Sequence, residues 1–280
     1  MWIVELLKIG EMAKMNHVSE QTLRLYDRLG LLSPCSRDEE NGYRYYDIRQ
    51  SARLDMIQYL KSMGMSLCDV RDHLSGKDIS AIGGLLLRKN AQIDEEIRNL
   101  QCLRRAIERA ISNIHRYEAA PPDGTVILEH IGSRQIYCID SRINFYGSGI
   151  EIYEKILREL KNSIIANKLP QVYFSNAGTI LRKENLLQRK FVSTEVFVFV
   201  DSEFIDRQHI TELPAKNYLC IYCDAFDKEE EYANRLIDCI EEKGYLIDGD
   251  YICEVLAELP VLEKGGREMF LRLQIPVAFR

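Results

Sequence analysis

Residues 8–32 read Lys8-Ile9-Gly10-Glu11-Met12-Ala13-Lys14-Met15-Asn16-His17-Val18-Ser19-Glu20-Gln21-Thr22-Leu23-Arg24-Leu25-Tyr26-Asp27-Arg28-Leu29-Gly30-Leu31-Leu32. The apolar spacing predicts a first helix over about Ile9–Met15, a turn at Asn16-His17 and a second helix capped by Ser19. A serine oxygen suits the unpaired N–H groups of a helix start. The second helix is expected to turn Gln21, Thr22, Arg24 and Tyr26 outward, while Val18, Leu23 and Leu25 or Leu29 pack inward. Two short helices across a tight turn form a helix-turn-helix, whose second helix fits the major groove of DNA. On that reading Ser19, Gln21 and Thr22 lie where the first helical turn reaches base edges. Arg24 and Tyr26 suit phosphate.

Working outward, Asn41-Gly42 is a strong hairpin signal, and Tyr43-Arg44-Tyr45-Tyr46 follows it. A hairpin tip bearing arginine and tyrosine makes a wing that can lie along the sugar-phosphate backbone. The charge of the whole chain, −6 from 37 basic and 43 acidic residues, speaks against a nucleic-acid binder. Divided, it is −1 over residues 1–80, +2 over 81–118 and −7 over 119–280, so the acidity belongs to the C-terminal part. A length of 280 residues suits more than one domain. No apolar run reaches the roughly 18 residues of a membrane span, and the chain reads as cytoplasmic, with no membrane partner. Its eight cysteines are dispersed and read as free, mostly buried thiols.

Ser80 to Glu118 contains no proline and has glycines only at its start, Gly83 and Gly84. Leu86, Ile93, Leu100, Ile107 and Ile114 recur every seven residues, and Asn90, Ile97, Arg104 and Ile111 hold the offset positions. A stripe this narrow suits a partner helix, and a rod of about 60 Å (~1.5 Å per residue) would not hide inside a small domain. A homodimer joined by a coiled coil is expected, with Asn90 and Arg104 setting register. The segment stops at Ala119-Ala120-Pro121-Pro122-Asp123-Gly124. The expected divisions are therefore 1–79, 80–119, a linker at 120–124, and 125–280.

The last block looks duplicated. Runs at Gln135–Asp140, Gln171–Thr179 and Thr194–Asp201 read as strands around a helix at Ile150–Asn167. The order recurs in Tyr218–Ala225, a helix at Lys228–Gly244, Tyr251–Leu259 and Met269–Phe279. Two strand–helix–strand–strand units predict an α+β layer with both helices on one face of a sheet. Cys220 and Cys223 have metal-ligand spacing, but residues three apart in a strand point to opposite faces. Gly-rich phosphate loops, His-Glu-x-x-His and a nucleophile elbow are missing, and Gly147-Ser148-Gly149 is an isolated signal before a helix. Neither an enzyme nor a cofactor is expected.

The first 70 or so residues resemble the MerR family of transcription regulators. The resemblance rests on Ile9-Gly10-Glu11-Met12-Ala13, Val18-Ser19, Thr22-Leu23-Arg24-Leu25-Tyr26-Asp27, Leu29-Gly30-Leu31-Leu32, Asn41-Gly42-Tyr43-Arg44-Tyr45-Tyr46 and Met63-Gly64-Met65-Ser66-Leu67. It implies a winged helix-turn-helix and a long dimerisation helix that pairs antiparallel. It also implies contacts from Arg24, Tyr26, Arg44 and Tyr45 to phosphate, with Tyr43 on the same wing. Such regulators bind promoter DNA whose polymerase-binding elements are too far apart, and they distort it so that RNA polymerase engages both. The C-terminal block resembles the GyrI-like effector-binding domain of multidrug-responsive members, through Leu213–Tyr222, Asp250–Val255 and the closing strand. That likeness implies a pocket for a lipophilic cationic small molecule, with Glu254 as its acid and Tyr218, Tyr153 and Tyr173 as its aromatics. Alternatives are an effector domain that also hydrolyses small electrophiles, or a metal or redox sensor.

Overall fold

The computed structural model describes residues 6–75, 79–261 and 266–279. The chain forms two compact units that divide between Ile93 and Asp94, inside the long helix.

In the first unit, β1 (Leu6–Lys8) leads directly into α1 (Ile9–Met15), and α2 (Glu20–Arg28) follows. His17 takes a positive φ of 54° at the turn between the helices. Ser19 caps α2 by accepting the Thr22 N–H at 3.0 Å, as its position in the sequence implies. Strands β2 (Ser36–Arg37) and β3 (Arg44–Asp47) form the wing, with β3 central in the order β1-β3-β2. The turn is longer than a two-residue hairpin. Asp38 accepts from the Glu40 N–H and the Asn41 amide, and Gly42 (φ 71°) donates back to the Asp38 carbonyl. Helices α3 (Ser51–Ser62) and α4 (Leu67–Ser75) close a core of Met12, Leu23, Tyr26, Leu31, Tyr46, Leu54 and Ile57.

Helix α5 (Ile79–Glu118) runs for 40 residues. Leu86 packs partly against the core of the first unit. Further along, Ile93, Ile97, Leu100, Ile107, Ile111 and Ile114 are all exposed, Leu100 by 65% and Ile107 by 50%. Arg104 pairs with Glu108 one turn on, at 3.6 Å. Among the described residues no helix is long and apolar enough to cross a membrane.

The second unit is built on an antiparallel sheet that spans both halves of the duplication. Its strands are β4 (Val126–Ile131), β5 (Arg134–Asp140), β6 (Gly178–Leu181), β7 (Glu195–Val200), β8 (Thr211–Leu213), β9 (Lys216–Cys223), β10 (Leu246–Ile247), β11 (Tyr251–Val261) and β12 (Gly266–Ala278). The order is β4-β9-β12-β11-β6-β7-β5-β8, with β10 on β12. The halves β5-β7-β6 and β9-β12-β11 thus mirror one another and join where Tyr251 pairs with Leu181. One expected strand is shorter than its run: Gln171–Tyr173 is a helical turn, and β6 begins only at Gly178.

Helices α6 (Gly149–Ala166) and α8 (Glu229–Glu242) bury Ile156, Leu157, Leu160 and Ile164, and Ala233, Leu236, Ile237 and Ile240, in one core. A short helix, α7 (Lys183–Leu187), adds Leu186. Strand alternation sends Cys223 to that core and Cys220 to the other face. At the joint of the halves, a Cβ on Gly178 would lie 2.3 Å from Phe197 and 2.6 Å from the Cys253 carbonyl oxygen. Gly178→Ala is therefore expected to destabilise the protein by about 2 kcal/mol, read by urea unfolding. A variant as stable as the parent would mean the halves are not held this closely.

Candidate nucleic-acid interface and effector-domain sites

Around α1, α2 and the wing lies a groove of about 780 Å³ lined by Lys8, Glu11, Lys14, Glu20, Arg24, Asn41, Tyr43 and Arg44. Four basic side chains against two acidic ones give this face the positive sign that the domain's total charge conceals. Gln21 and Arg24 are exposed on α2, and Tyr43 stands out on the wing. Arg44 and Arg37 both donate to Asp27, at 3.0 and 2.6 Å, which fastens the wing to α2. Tyr45 is half-buried beside them.

Tyr26 corrects the expectation. It follows Leu23 by one helical turn, lies on the same inward face and is only 2% exposed. Burial pushes its hydroxyl pKa up.

In the second unit the four expected effector residues are split between the two faces of the sheet. Tyr153 lies on the helix side, its ring 5.4 Å from Phe226. Tyr218 lies on the far side, stacked 5.4 Å from the Arg134 guanidinium. Tyr173 donates its hydroxyl to Asp201 at 3.1 Å. Glu254 is buried on the far side and is already paired. Its Oε2 accepts from Arg272 at 2.6 Å, Gln274 at 2.8 Å and Arg134 at 3.2 Å, and its Oε1 accepts from Arg116 of α5 at 3.2 Å. Burial by itself would raise this acid's pKa; the Arg272, Arg134 and Arg116 charges outweigh it and hold the group below the usual carboxylate range. The expected picture of Glu254 as an open acid in an apolar slot gives way to a carboxylate wrapped by guanidiniums.

A buried carboxylate among aromatic side chains, the arrangement expected at Glu254, is found instead on the helix side, at Glu229. This residue opens α8, is 4% exposed, and accepts hydroxyls from Tyr146 at 2.9 Å and Tyr251 at 3.0 Å. The Cys253 thiol approaches it as well. No lysine or arginine pairs with it among the described residues. Burial raises its pKa to about 6, against the lowering pull of the two tyrosines and the thiol. The adjoining cavity, about 310 Å³, is lined by Phe145, Tyr146, Phe226, Asp227, Glu229 and Glu230. Gly147 and Gly149 form its rim, with φ of 69° and 67°, and bring no side chain to it. The signal for Glu229 was present in the sequence: with Tyr232, Ala233 and Leu236 it shares the apolar side of α8.

One strand connects the two places. Tyr251 and Cys253 of β11 meet Glu229 on one face, and Glu254 meets α5 on the other.

A wing, a capped recognition helix and a basic groove define a winged helix-turn-helix DNA-binding protein. The model described as "MerR HTH family regulatory protein" matches residues 7–77, and "MerR, DNA binding" matches residues 51–110. The chain is 34% identical to the transcriptional regulator CueR of Bacillus subtilis over 120 residues, 42% of this chain and 76% of the relative. It is 26% identical to the multidrug-efflux transporter 2 regulator of the same organism, over 96% of this chain and 95% of the relative. Identity with the multidrug-efflux transporter 1 regulator is 23%, over 96% and 97%. Among solved structures, the EcmrR–DNA complex matches at 18% identity and a TM-score of 0.38, over 98% of this chain and all of that one. The chain belongs to the MerR family of transcription regulators.

Proposed function

We propose that the protein is a homodimeric, effector-responsive regulator whose ligand is a lipophilic organic cation held at Glu229. One observation carries this reading: Glu229 is a buried carboxylate without a counter-ion among the described residues, set among Phe145, Tyr146, Phe226 and Tyr251. Aromatic faces and a desolvated carboxylate both favour an organic cation, and a neutral ligand would leave the carboxylate unmatched. The likeness to relatives named for multidrug-efflux transporters agrees with it. Glu254 then acts as the hold on α5 rather than as the ligand's acid.

The apolar stripe of α5 supports self-association, since a monomer would leave it in water. Two recognition helices held by such a dimer grip two half-sites of a promoter. A change in their separation bends or untwists the DNA between them, which is how RNA polymerase would be served. The ligand acts only as far as it favours one arrangement over the other. Strand β11 supplies the route, because a ligand drawn to Glu229 on one face shifts the strand that holds Arg116 on the other.

A footprint across the gene's own upstream region, with and without cationic dyes, tests the reading. A dye-dependent change in the protected or distorted bases is expected; a footprint indifferent to every dye removes the effector. For the DNA face, Arg24→Ala is expected to weaken promoter binding and to reduce the slope of log K against log salt by about one. An unchanged slope takes Arg24 off the phosphates.

A further inference from the structure

The opposite face of the sheet holds a second cleft that the cation reading leaves unused. Its volume is about 310 Å³, and α5 supplies Arg109, Asn113 and Arg116 from one side. Residues at i, i+4 and i+7 of a helix share a face, so these three side chains converge on the cleft. Ser133, Arg134, Gln135, Phe199, Asp201 and Glu254 form the rest of the wall.

The charges here do not balance. Arg109 donates to Asp201 at 2.8 Å, and Arg272 bridges Glu254 and Glu129 at 2.6 and 2.9 Å. Arg134 and Arg116 both turn to the same Glu254. Four guanidiniums therefore face three carboxylates, leaving one positive charge in surplus, with Arg272 buried, Arg134 largely so, and Arg109 and Arg116 partly exposed at the cleft. Donors are in surplus as well. The Nε and Nη2 of Arg134 and the Nε of Arg272 are buried without a partner. Asn113 is 5% exposed and lines the cleft. Among the described residues Arg116 makes a single hydrogen bond, to Glu254, and leaves most of its fork open to the cleft. Buried donors of this kind ordinarily have a partner in protein, ordered water or a bound ion.

We infer that this cleft is an anion site, which takes the carboxylate or phosphate group of a small ligand between α5 and the sheet. Arginine forks match both oxyanions, and Asn113 adds a neutral donor. The bound anion matches the surplus charge and ties Arg116 and Arg109 to one ligand. It thereby tightens the hold on α5 independently of anything at Glu229.

Calorimetric titration of the full chain with inorganic phosphate, and separately with succinate, tests the site at ionic strength fixed by sodium chloride. Saturable binding of at least one is expected, and which one binds decides between phosphate and carboxylate ligands. Arg116→Gln and Arg109→Gln alter partly exposed side chains, and each is expected to weaken binding about tenfold. Glu254→Gln enlarges the surplus and is expected to tighten binding several-fold, an outcome that a purely structural cluster would not give. The site is refuted if neither anion saturates beyond the chloride background, or if both arginine variants bind unchanged.

Discussion

Glu229→Gln is expected to lower the affinity for a cationic dye such as ethidium on the order of fiftyfold, while Glu254→Gln changes it less than twofold. The first substitution removes the charge facing the ligand and leaves an amide of the same size. A charge-assisted contact in a buried site is worth about 2–3 kcal/mol, which is the source of the figure. The second substitution alters a carboxylate that three guanidiniums already neutralise. The opposite ranking would return the ligand to Glu254.

Acidity makes the same assignment a second way. On the proposed reading the cation binds the ionised form of Glu229, whose pKa burial raises to about 6. Dye affinity is therefore expected to be flat above that pH and to fall about tenfold per unit below it, and Glu229→Gln is expected to lose this dependence. Stability without ligand has its own sign. A carboxylate whose pKa is raised in the folded state keeps its proton there longer than in the unfolded chain, so stability declines as pH rises from about 4.5 to 6. The loss is about 2 kcal/mol from this group. Glu254, held low, works in the opposite sense, and its contribution is lost as pH falls. Unfolding curves of the parent and Glu229→Gln across this range separate the two carboxylates.

Leu100→Glu with Ile107→Glu is expected to convert a dimer into a monomer at micromolar concentration and to erase the promoter footprint. Both side chains stand exposed on α5 in the single chain. In a paired seam each glutamate would be buried opposite apolar neighbours without a partner. At about 2 kcal/mol for each such group, counted on both protomers, dimerisation weakens by more than a thousandfold. Sedimentation equilibrium reads the outcome. A double variant that stays dimeric would place the interface elsewhere.

Local signals made the N-terminal unit legible. Ser19 as a cap, Asn16-His17 as a turn and Asn41-Gly42 as a hairpin tip each act within a few residues, and each is found in place. Tyr26 faces inward because it lies one turn beyond Leu23, and that position outweighs its polar hydroxyl. The strand–helix–strand–strand repeat was visible in periodicity, although Gln171–Tyr173 lacked the pairing that would have made it a strand.

What escaped were facts of register and charge. Nothing near Glu254 announces Arg272, which meets it only because β11 and β12 pair in this register, or Arg134, 120 residues distant. Glu229 begins the run Glu229-Glu230-Glu231, which reads as a solvated first turn favoured by the helix dipole. Its place above Tyr232, Ala233 and Leu236 was the better guide.

The two-sided character of β11 has a bearing on how such a regulator diversifies. On the function proposed above, substitutions at Tyr251 and Cys253 would act on the ligand's carboxylate, Glu229, while substitutions at Glu254 and its arginines would reset how firmly α5 is gripped. Neighbouring codons would then govern separate properties, specificity and gain, and a lineage could retune its range of inducers without recalibrating the strength of its reply.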